Sequence, residues 1–228
     1  MKNAILTYCN FQVDPRIATN QEKVIKKYIE DSDIKYEPYF YNAPDGVVFP
    51  NNVIDQEISK LFYFKNYDNV LILDIDCIPL SLDSLEYVFK RASEGYLLGN
   101  VQRSNHLDNN QHLFVGSSCL CISKKTFNLL GRPSSDCTPR SDICEEWTFL
   151  AEKFDVPVEF FVPGTFEGMP HQGFPWPLKE GYKSYGIGTT FVDSNGTEMF
   201  YHLFESRWNL NVERFVSKCQ DILSSTTV

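Results

Sequence analysis

The fold is decided by one stretch of the chain, Val70-Leu71-Ile72-Leu73-Asp74-Ile75-Asp76-Cys77-Ile78-Pro79-Leu80. Its apolar first half is typical of a strand that is buried on both faces in the centre of an α/β sheet. Asp74 and Asp76 follow that strand directly. Residues i and i+2 of an extended chain share a face, with Cα atoms about 6–7 Å apart, so both carboxylates are expected to point the same way. They would lie at the carboxyl end of the strand, where open α/β sheets bind ligands.

Two carboxylates this close repel each other unless a cation lies between them. A hard divalent cation such as Mn²⁺ or Mg²⁺ takes carboxylate oxygens at about 2.1 Å and usually shares its other positions with phosphates. The pair therefore predicts a site for a metal ion and a diphosphate. The alternative is a strand-end loop whose acids cap the following helix.

Outward from this stretch, strand-like and helix-like segments alternate along the chain, which is typical of an α/β domain. The predicted strands are 4–8, 35–41, 70–74, 96–101, 113–122 and 156–162. Predicted helices are one opened by a capping box at Thr19 and Glu22, one over 53–64, and others from about Ser81 and Ser141. A hairpin turning at Asn195-Gly196 and an amphipathic last helix follow. We expect a Rossmann-like, mixed but mainly parallel sheet flanked by helices, with a C-terminal hairpin and helix.

Composition narrows the class of protein. The 228 residues, 43% of them apolar, suit a single domain over 1–228 with a sizeable core. With 21 basic and 30 acidic residues, the net charge of −9 disfavours nucleic acid and anionic membranes as partners. The chain is polar again by Asn10 and has no stretch of about 20 apolar residues, so we expect a cytoplasmic protein without a membrane span. Seven cysteines without a C-x-x-C pair are expected to be reduced thiols.

An apolar strand that ends in Asp74-Ile75-Asp76, about 70 residues into a short α/β chain with a polar N-terminal βα turn, resembles the nucleotide-sugar-dependent glycosyltransferases of the GT-A fold. The resemblance implies that 1–101 binds the nucleotide and that 102–228 faces the acceptor. It implies that the D-x-D aspartates bind Mn²⁺, or Mg²⁺, together with the diphosphate of a donor, with a UDP-sugar expected. The acceptor implied is a hydroxyl of a glycan or protein-linked glycan. Four residues would lie near the base, ribose and diphosphate: Tyr8, Asn10, Asp14 and Arg16.

A second feature shared with several of these enzymes is a histidine near the end of the chain that completes the metal site, followed by a basic residue. His202 and Arg207 match that pattern. Neutral imidazole is a good ligand for Mn²⁺, and an arginine can hold phosphate oxygens with two hydrogen bonds. The glycine and lysine that surround this histidine in some retaining families are absent here. His202 could instead be a histidine at the edge of the core.

A third feature is Ser141-Asp142-Ile143-Cys144-Glu145-Glu146, in which a serine cap would open a helix and leave Asp142, Glu145 and Glu146 off the core. Enzymes of the family place an acid at such a helix start, facing the acceptor or donor sugar, and an inverting enzyme needs one as general base. The alternative is a solvated first turn. The preceding strand resembles the family's strand of small residues beside the donor sugar, which implies donor contacts at Gly116 and Ser117.

The Gly- and Pro-rich stretch 163–196 carries aromatic rings on which an acceptor sugar could stack, or which could belong to the core. Its candidate residues are His171, Phe174, Trp176 and Tyr185.

Other functions remain open at this stage. Asp74-Ile75-Asp76-Cys77 also resembles the first motif of Mg²⁺-dependent haloacid-dehalogenase phosphatases, but that motif usually lies near the N-terminus and no later Gly-Asp pair occurs here. A sugar-phosphate nucleotidyltransferase should carry a Gly-rich loop after its first strand, yet 7–14 contains no glycine. A DNA-modifying glycosyltransferase and a non-catalytic sugar-binding module are further alternatives, although the negative charge favours glycan or protein acceptors.

Overall fold

The computed structural model describes residues 1–10, 13–41, 51–104, 111–206 and 209–225. Nine strands lie within these residues. They are β1 Asn3–Asn10, β2 Lys35–Tyr41, β3 Asn69–Asp74, β4 Cys77–Pro79, β5 Leu97–Arg103, β6 Leu113–Ser123, β7 Val158–Thr165, β8 Thr189–Val192 and β9 Glu198–His202.

Six α-helices and one π-helical turn lie within the same residues. They are α1 Pro15–Ile29, α2 Asn51–Ser59, the π-helical turn Lys60–Phe64, α3 Leu82–Ser93, α4 Lys124–Leu129, α5 Glu145–Lys153 and α6 Asn209–Ser224. No helix of the described residues is both long and apolar enough to cross a membrane.

The strands form one sheet in the order β2-β1-β3-β6-β5-β7-β8-β9-β4. The strand β1 pairs in parallel with β2 and β3, and β5 pairs in parallel with β7. The other five pairings among the described strands are antiparallel. The α/β class with a mixed sheet, a C-terminal hairpin and a C-terminal helix is confirmed, but the sheet is less parallel than expected. Strands joined directly run antiparallel, as β8 and β9 do through the turn at 193–197.

The strand β3 lies at the centre of the core, as its sequence predicts. Val70 and Ile72 face one layer, in which α2 and α5 cover the sheet. Leu71 and Leu73 face the other, which α1 and α3 cover. Because the side chains of a strand alternate, this two-sided burial requires an uninterrupted apolar run.

The strand β5 carries a bulge next to β6, between Gly99 and Val101. Gly99 has φ +154°, and a Cβ atom there would lie 1.8 Å from the carbonyl oxygen of Cys119 on β6. Only glycine permits such a close approach of two backbones.

Two predicted helix starts are wrong. The helix α1 begins at Pro15, where Asp14 is the N-cap and accepts a hydrogen bond from the backbone N–H of Arg16, rather than at a capping box formed by Thr19. The fixed φ of proline suits the first turn of a helix, so the N-cap lies five residues earlier than predicted. The helix α5 begins at Glu145 rather than near Ser141, whose hydroxyl bonds to Thr138 in a preceding turn.

Candidate functional site

Asp74, Asp76 and His202 bring three candidate ligand atoms to within 4.8 Å of one another. The Nε2 atom of His202 lies 3.0 Å from Oδ1 of Asp76 and 3.8 Å from Oδ2 of Asp74. Asp76 and His202 are buried, whereas 27% of the Asp74 side chain is exposed. Two carboxylates and an imidazole form a donor set that suits Mn²⁺, and the exposed part of Asp74 leaves the cluster open to a ligand. We call these three residues the metal cluster.

The sheet topology brings His202 to the two aspartates. The strand β3 ends at Asp74, a turn follows, and β4 then pairs with β9 so that Cys77 lies opposite His202. The backbone N–H of Leu203 donates to the carbonyl of Asp76 at 3.0 Å. The histidine is therefore placed by strand pairing, although 126 residues separate it from Asp76.

Among the described residues, the metal cluster brings together two carboxylates and only one basic side chain. Burial and the charge of Asp76 raise the pKa of Asp74 to about 6, although His202 and Tyr8 act in the opposite direction. The pKa of Asp76 is lowered, because His202 and a hydrogen bond from the Ser206 hydroxyl outweigh its burial. A divalent cation would neutralise the excess negative charge, so the residues present fit the metal that the sequence predicts.

One residue that the sequence assigns to the donor, Tyr8, lies beside Asp74, and a second, Ser117, bonds to Tyr8. Tyr8 is the register partner of Asp74 and its hydroxyl donates to Oδ1 of that carboxylate. The hydroxyl of Ser117 bonds to Tyr8, whose pKa is raised well above its ordinary value by burial and by Asp74. The space beside Gly116 is filled by Gln102, whose Oε1 would lie 2.1 Å from an added Cβ atom. A donor contact at Gly116 stays a prediction.

The remaining donor residues are placed differently. Asp14 and Arg16 form an ion pair at 2.9 Å near the start of α1, and Arg16 also pairs with Glu213 of α6 at 2.5 Å. Their proposed contacts with a nucleotide stay predictions. Asn10 ends β1, but its side chain lies outside the described residues, as does the whole of Arg207.

The three acids around the start of α5 have different environments. Glu145 is fully buried, with Oε1 2.7 Å from Nδ1 of His112 and Oε2 accepting the backbone N–H of Asp142 at 2.7 Å. Glu146 is 30% exposed and lies 3.6 Å from Arg140. The prediction that all three lie off the core is wrong for Glu145. The later helix start turns its side chain inward, where hydrogen bonds replace its hydration.

The residue that precedes α5, Cys144, belongs to the buried cluster against which Tyr8 packs. Cys144 directly precedes this helix with φ 64°. Burial raises the pKa of its thiol to about 12, and the charges of Asp74 and Asp142 contribute. Cys144 in turn contributes to the raised pKa of Tyr8. The buried core therefore connects the residue before α5 with Tyr8.

Three aromatic rings pack together, and one of them contacts His202. The ring of Phe204 lies 3.8 Å from the His202 ring, centroid to centroid. Trp176 and Tyr185 lie 5.4 and 5.3 Å from Phe204 and 5.4 Å from each other. Two of the four predicted acceptor residues therefore lie near the metal cluster. The other two are exposed: His171 and Phe174.

Gln21 is a site residue that the sequence analysis missed. It is fully buried on α1, and its Nε2 donates to the carbonyl oxygens of Asp74 at 2.6 Å and Cys77 at 2.7 Å. These carbonyls lie at the two ends of the turn that carries Asp76. Gln21 shares the buried face of α1 with Ile17, so a polar residue within an apolar stripe was the available signal.

Comparison with known proteins gives similarity in structure only. No protein-family model matches the sequence, and no curated protein matches it. Similar solved structures include a mutant Drosophila β-1,4-galactosyltransferase 7 in complex with manganese, UDP-Gal and xylobiose. Its sequence is 15% identical to this chain, the match covers 89% of this chain and 71% of that chain, and the TM-score is 0.47.

Two further structures show similarity of the same order. Galactosyltransferase LgtC in complex with donor and acceptor sugar analogs is 12% identical, with 99% of this chain and 97% of that chain covered and a TM-score of 0.45. Mannosyltransferase PcManGT from Pyrobaculum calidifontis, in complex with GDP-Man and Mn²⁺, is 10% identical, with 76% and 58% covered and a TM-score of 0.47.

Proposed function

We propose that this chain is a metal-dependent glycosyltransferase that moves a sugar from a nucleotide diphosphate sugar to a hydroxyl of a glycan. The observation that carries the proposal is the metal cluster itself. Asp74, Asp76 and His202 converge at the carboxyl end of a central strand, with an excess of negative charge that suits a divalent cation. This is also the edge of an α/β sheet at which phosphate-containing ligands bind.

In this proposal Asp74, Asp76 and His202 hold Mn²⁺ or Mg²⁺. When bound, the metal would supply the positive charge that stabilises a diphosphate leaving group. Tyr8 orients Asp74 through its hydroxyl, and Ser206 and His202 bond to Asp76. The chain thus fixes both carboxylates before a ligand arrives.

We assign the nucleotide of a UDP-sugar to the ends of β1 and β2. Tyr8 lies near the end of β1, and Tyr41 ends β2. Burial, as the larger cause, and the charge of Asp74 together raise the pKa of Tyr41 to about 12. Asn10, Asp14, Arg16, Gly116 and Ser117 remain the other proposed donor contacts, and Arg207 is proposed to hold the diphosphate.

We assign the acceptor to the side formed by the three rings and the start of α5. Sugars stack their C–H faces on aromatic rings, and Trp176 and Tyr185 offer such faces near His202. Of the two glutamates, Glu146 is accessible to an acceptor hydroxyl, whereas Glu145 holds the backbone of Asp142. Glu146 is therefore our candidate for the general base if the reaction inverts the sugar.

The test is a thermal-shift panel with Mn²⁺ alone, with UDP, GDP and their sugars alone, and with each nucleotide together with Mn²⁺. A ligand that binds only the native state raises the melting temperature by mass action. We expect a shift that requires metal and nucleotide together, that identifies the base, and that is lost in Asp76→Asn. Asp221→Asn, an exposed change on α6, is the matched control and should respond like the wild type.

The same panel distinguishes the main alternative. Stabilisation by Mg²⁺ with beryllium fluoride, and no response to any nucleotide, would replace the proposal by the phosphatase function. A response to neither set of ligands would favour a non-catalytic module. Transfer to DNA rather than to glycan acceptors, measured with a radiolabelled donor sugar, would change the proposed acceptor but not the proposed donor site.

A further inference from the structure

We propose that Gln21 is a positioning residue for the metal cluster, because its side-chain amide spans the turn between Asp74 and Cys77 and sets the separation of the ligands. This inference rests on the proposed metal site. A single nitrogen donates one N–H to each end of the turn, at 2.6 and 2.7 Å. Two carbonyl acceptors at these distances require nitrogen, not oxygen, at that position of the amide.

The strand pairing explains why the turn needs a donor from outside the sheet. In the β4–β9 ladder, the backbone N–H of Leu203 donates to the carbonyl of Asp76, and the backbone N–H of Leu80 donates to the carbonyl of Met199. Hydrogen-bonded and non-hydrogen-bonded pairs alternate along an antiparallel ladder, so Cys77 and His202 form a non-hydrogen-bonded pair. The carbonyl of a residue in that position points away from the partner strand. The strand β4 is the last in the order of the described strands, and none of the other eight pairs with its outer edge to take this carbonyl. Gln21 supplies the missing donor from α1.

The two bonds act on the ligands directly. Asp74 is both a ligand and one end of the turn, Asp76 lies inside the turn, and Cys77 is the register partner of His202. Fixing the carbonyls of Asp74 and Cys77 therefore fixes how the backbones of all three ligands approach one another. Partners that orient metal ligands typically change metal affinity by 10–100-fold when removed.

The rest of the Gln21 side chain makes a clean substitution possible. Its Oε1 is buried without a partner among the described residues, so methionine removes no acceptor contact. Methionine is unbranched and of similar length, and it fills buried space well. Gln21→Met therefore removes the two N–H donors and little else.

Tyr28 provides the matched control. It lies seven residues along the same helix, and its hydroxyl donates to the carbonyl of Leu80 at 2.8 Å, immediately after β4. Tyr28→Phe removes a hydrogen bond between α1 and the chain at the end of the same edge strand, away from the metal cluster. A purely structural role for such bonds would make the two variants behave alike.

The experiment titrates MnCl₂ into wild type, Gln21→Met and Tyr28→Phe, and measures free and bound Mn²⁺ by electron paramagnetic resonance. Melting temperatures without metal are measured in parallel. We expect a Kd for Mn²⁺ at least about tenfold higher in Gln21→Met, with an altered spectrum of the bound ion, and an unchanged Kd in Tyr28→Phe. Gln21→Asn, which keeps the amide but shortens its reach, should also weaken binding and serves if the methionine variant does not fold.

The outcomes separate this inference from the proposed function. If the wild type binds Mn²⁺ and Gln21→Met binds it equally tightly, the positioning role is refuted and the proposed function stands. Equal weakening in Tyr28→Phe also refutes it, since the effect would then be general loosening of the edge strand. If the wild type binds no Mn²⁺, both the metal site and the role of Gln21 are refuted.

Discussion

Replacing Asp74 by asparagine is expected to stabilise the protein in the absence of metal, although it removes a proposed metal ligand. Asp74 shares its site with the charge of Asp76 and is partly desolvated, so its ionised form is disfavoured in the native state. Asparagine removes that charge and retains an oxygen that can accept the hydroxyl of Tyr8. Residues retained for function often lower stability in this way.

The size of the expected stabilisation follows from the shift in the pKa of Asp74. Burial and Asp76 raise the pKa of Asp74 from 3.8 to about 6, and each pH unit corresponds to about 1.4 kcal/mol. The ionisation penalty is therefore about 3 kcal/mol at most, and exposure of 27% of the side chain reduces it, so we expect a gain of about 1–3 kcal/mol. A raised carboxyl pKa means that the penalty is fully present above pH 6 and absent below 3.8.

The assay is thermal unfolding of Asp74→Asn and wild type in EDTA at pH 7.5 and near pH 4. For a chain of this size, each kcal/mol of added free energy of unfolding raises the melting temperature by about 2–4 °C. The melting temperature of the variant should therefore exceed that of the wild type at pH 7.5 and nearly equal it near pH 4. Asp76→Asn is the control, because the lowered pKa of Asp76 predicts the opposite sign at pH 7.5. A lower melting temperature for Asp74→Asn at pH 7.5 would refute the electrostatic argument.

Three further predictions follow from particular contacts. Gly99→Ala should lower the free energy of unfolding, measured by urea denaturation, by about 3 kcal/mol or more, because the added Cβ atom would overlap the backbone of β6. The control is Gly131→Ala, which should lower the free energy of unfolding by only about 1 kcal/mol, because Gly131 has φ +79° but open space around it. Asp193→Ala should cost about 1–2 kcal/mol at pH 7, because the carboxylate accepts two backbone N–H groups in the β8–β9 turn. Those bonds outweigh burial and lower its pKa, so the difference from wild type should shrink as the pH falls below 3.8. Glu146→Gln should reduce sugar transfer by about 10²-fold or more with little change in melting temperature, while Glu145→Gln should lower the melting temperature; the reverse pattern would exchange their roles.

The sequence predicts the centre of this molecule well. The apolar run 70–73 predicts a strand buried on both faces, and the position of Asp74 and Asp76 at its end follows from local geometry. The D-x-D spacing predicts a metal site at Asp74 and Asp76, the resemblance to GT-A enzymes adds His202, and the structure places all three side chains together. Local pattern and residue chemistry are sufficient for the two aspartates, whereas the histidine is predicted only from the resemblance.

Other parts of the site depend on contacts that no local pattern encodes. The pairing of β4 with β9 is made between distant segments, so periodicity predicts neither the short strand nor the register of Cys77 with His202. Glu145 is an acid at a helix start, which normally indicates exposure, but a buried hydrogen bond from Asp142 and contact with His112 reverse that expectation. Gln21 is visible in the sequence as a polar residue in an apolar stripe, but its two acceptors are fixed only by the tertiary fold.

The pairing of β4 with β9 also bears on how the protein matures. The contact between Asp76 and His202 closes a loop of 126 residues, and non-local contacts of this kind form slowly because the entropy of loop closure opposes them. During synthesis both aspartates emerge long before the histidine, and a chain that stops before β9 has the two carboxylates without their third partner. The proposed metal site would then be complete only after β9 has been synthesised and has paired with β4, so uptake of the ion would report that this pairing has formed.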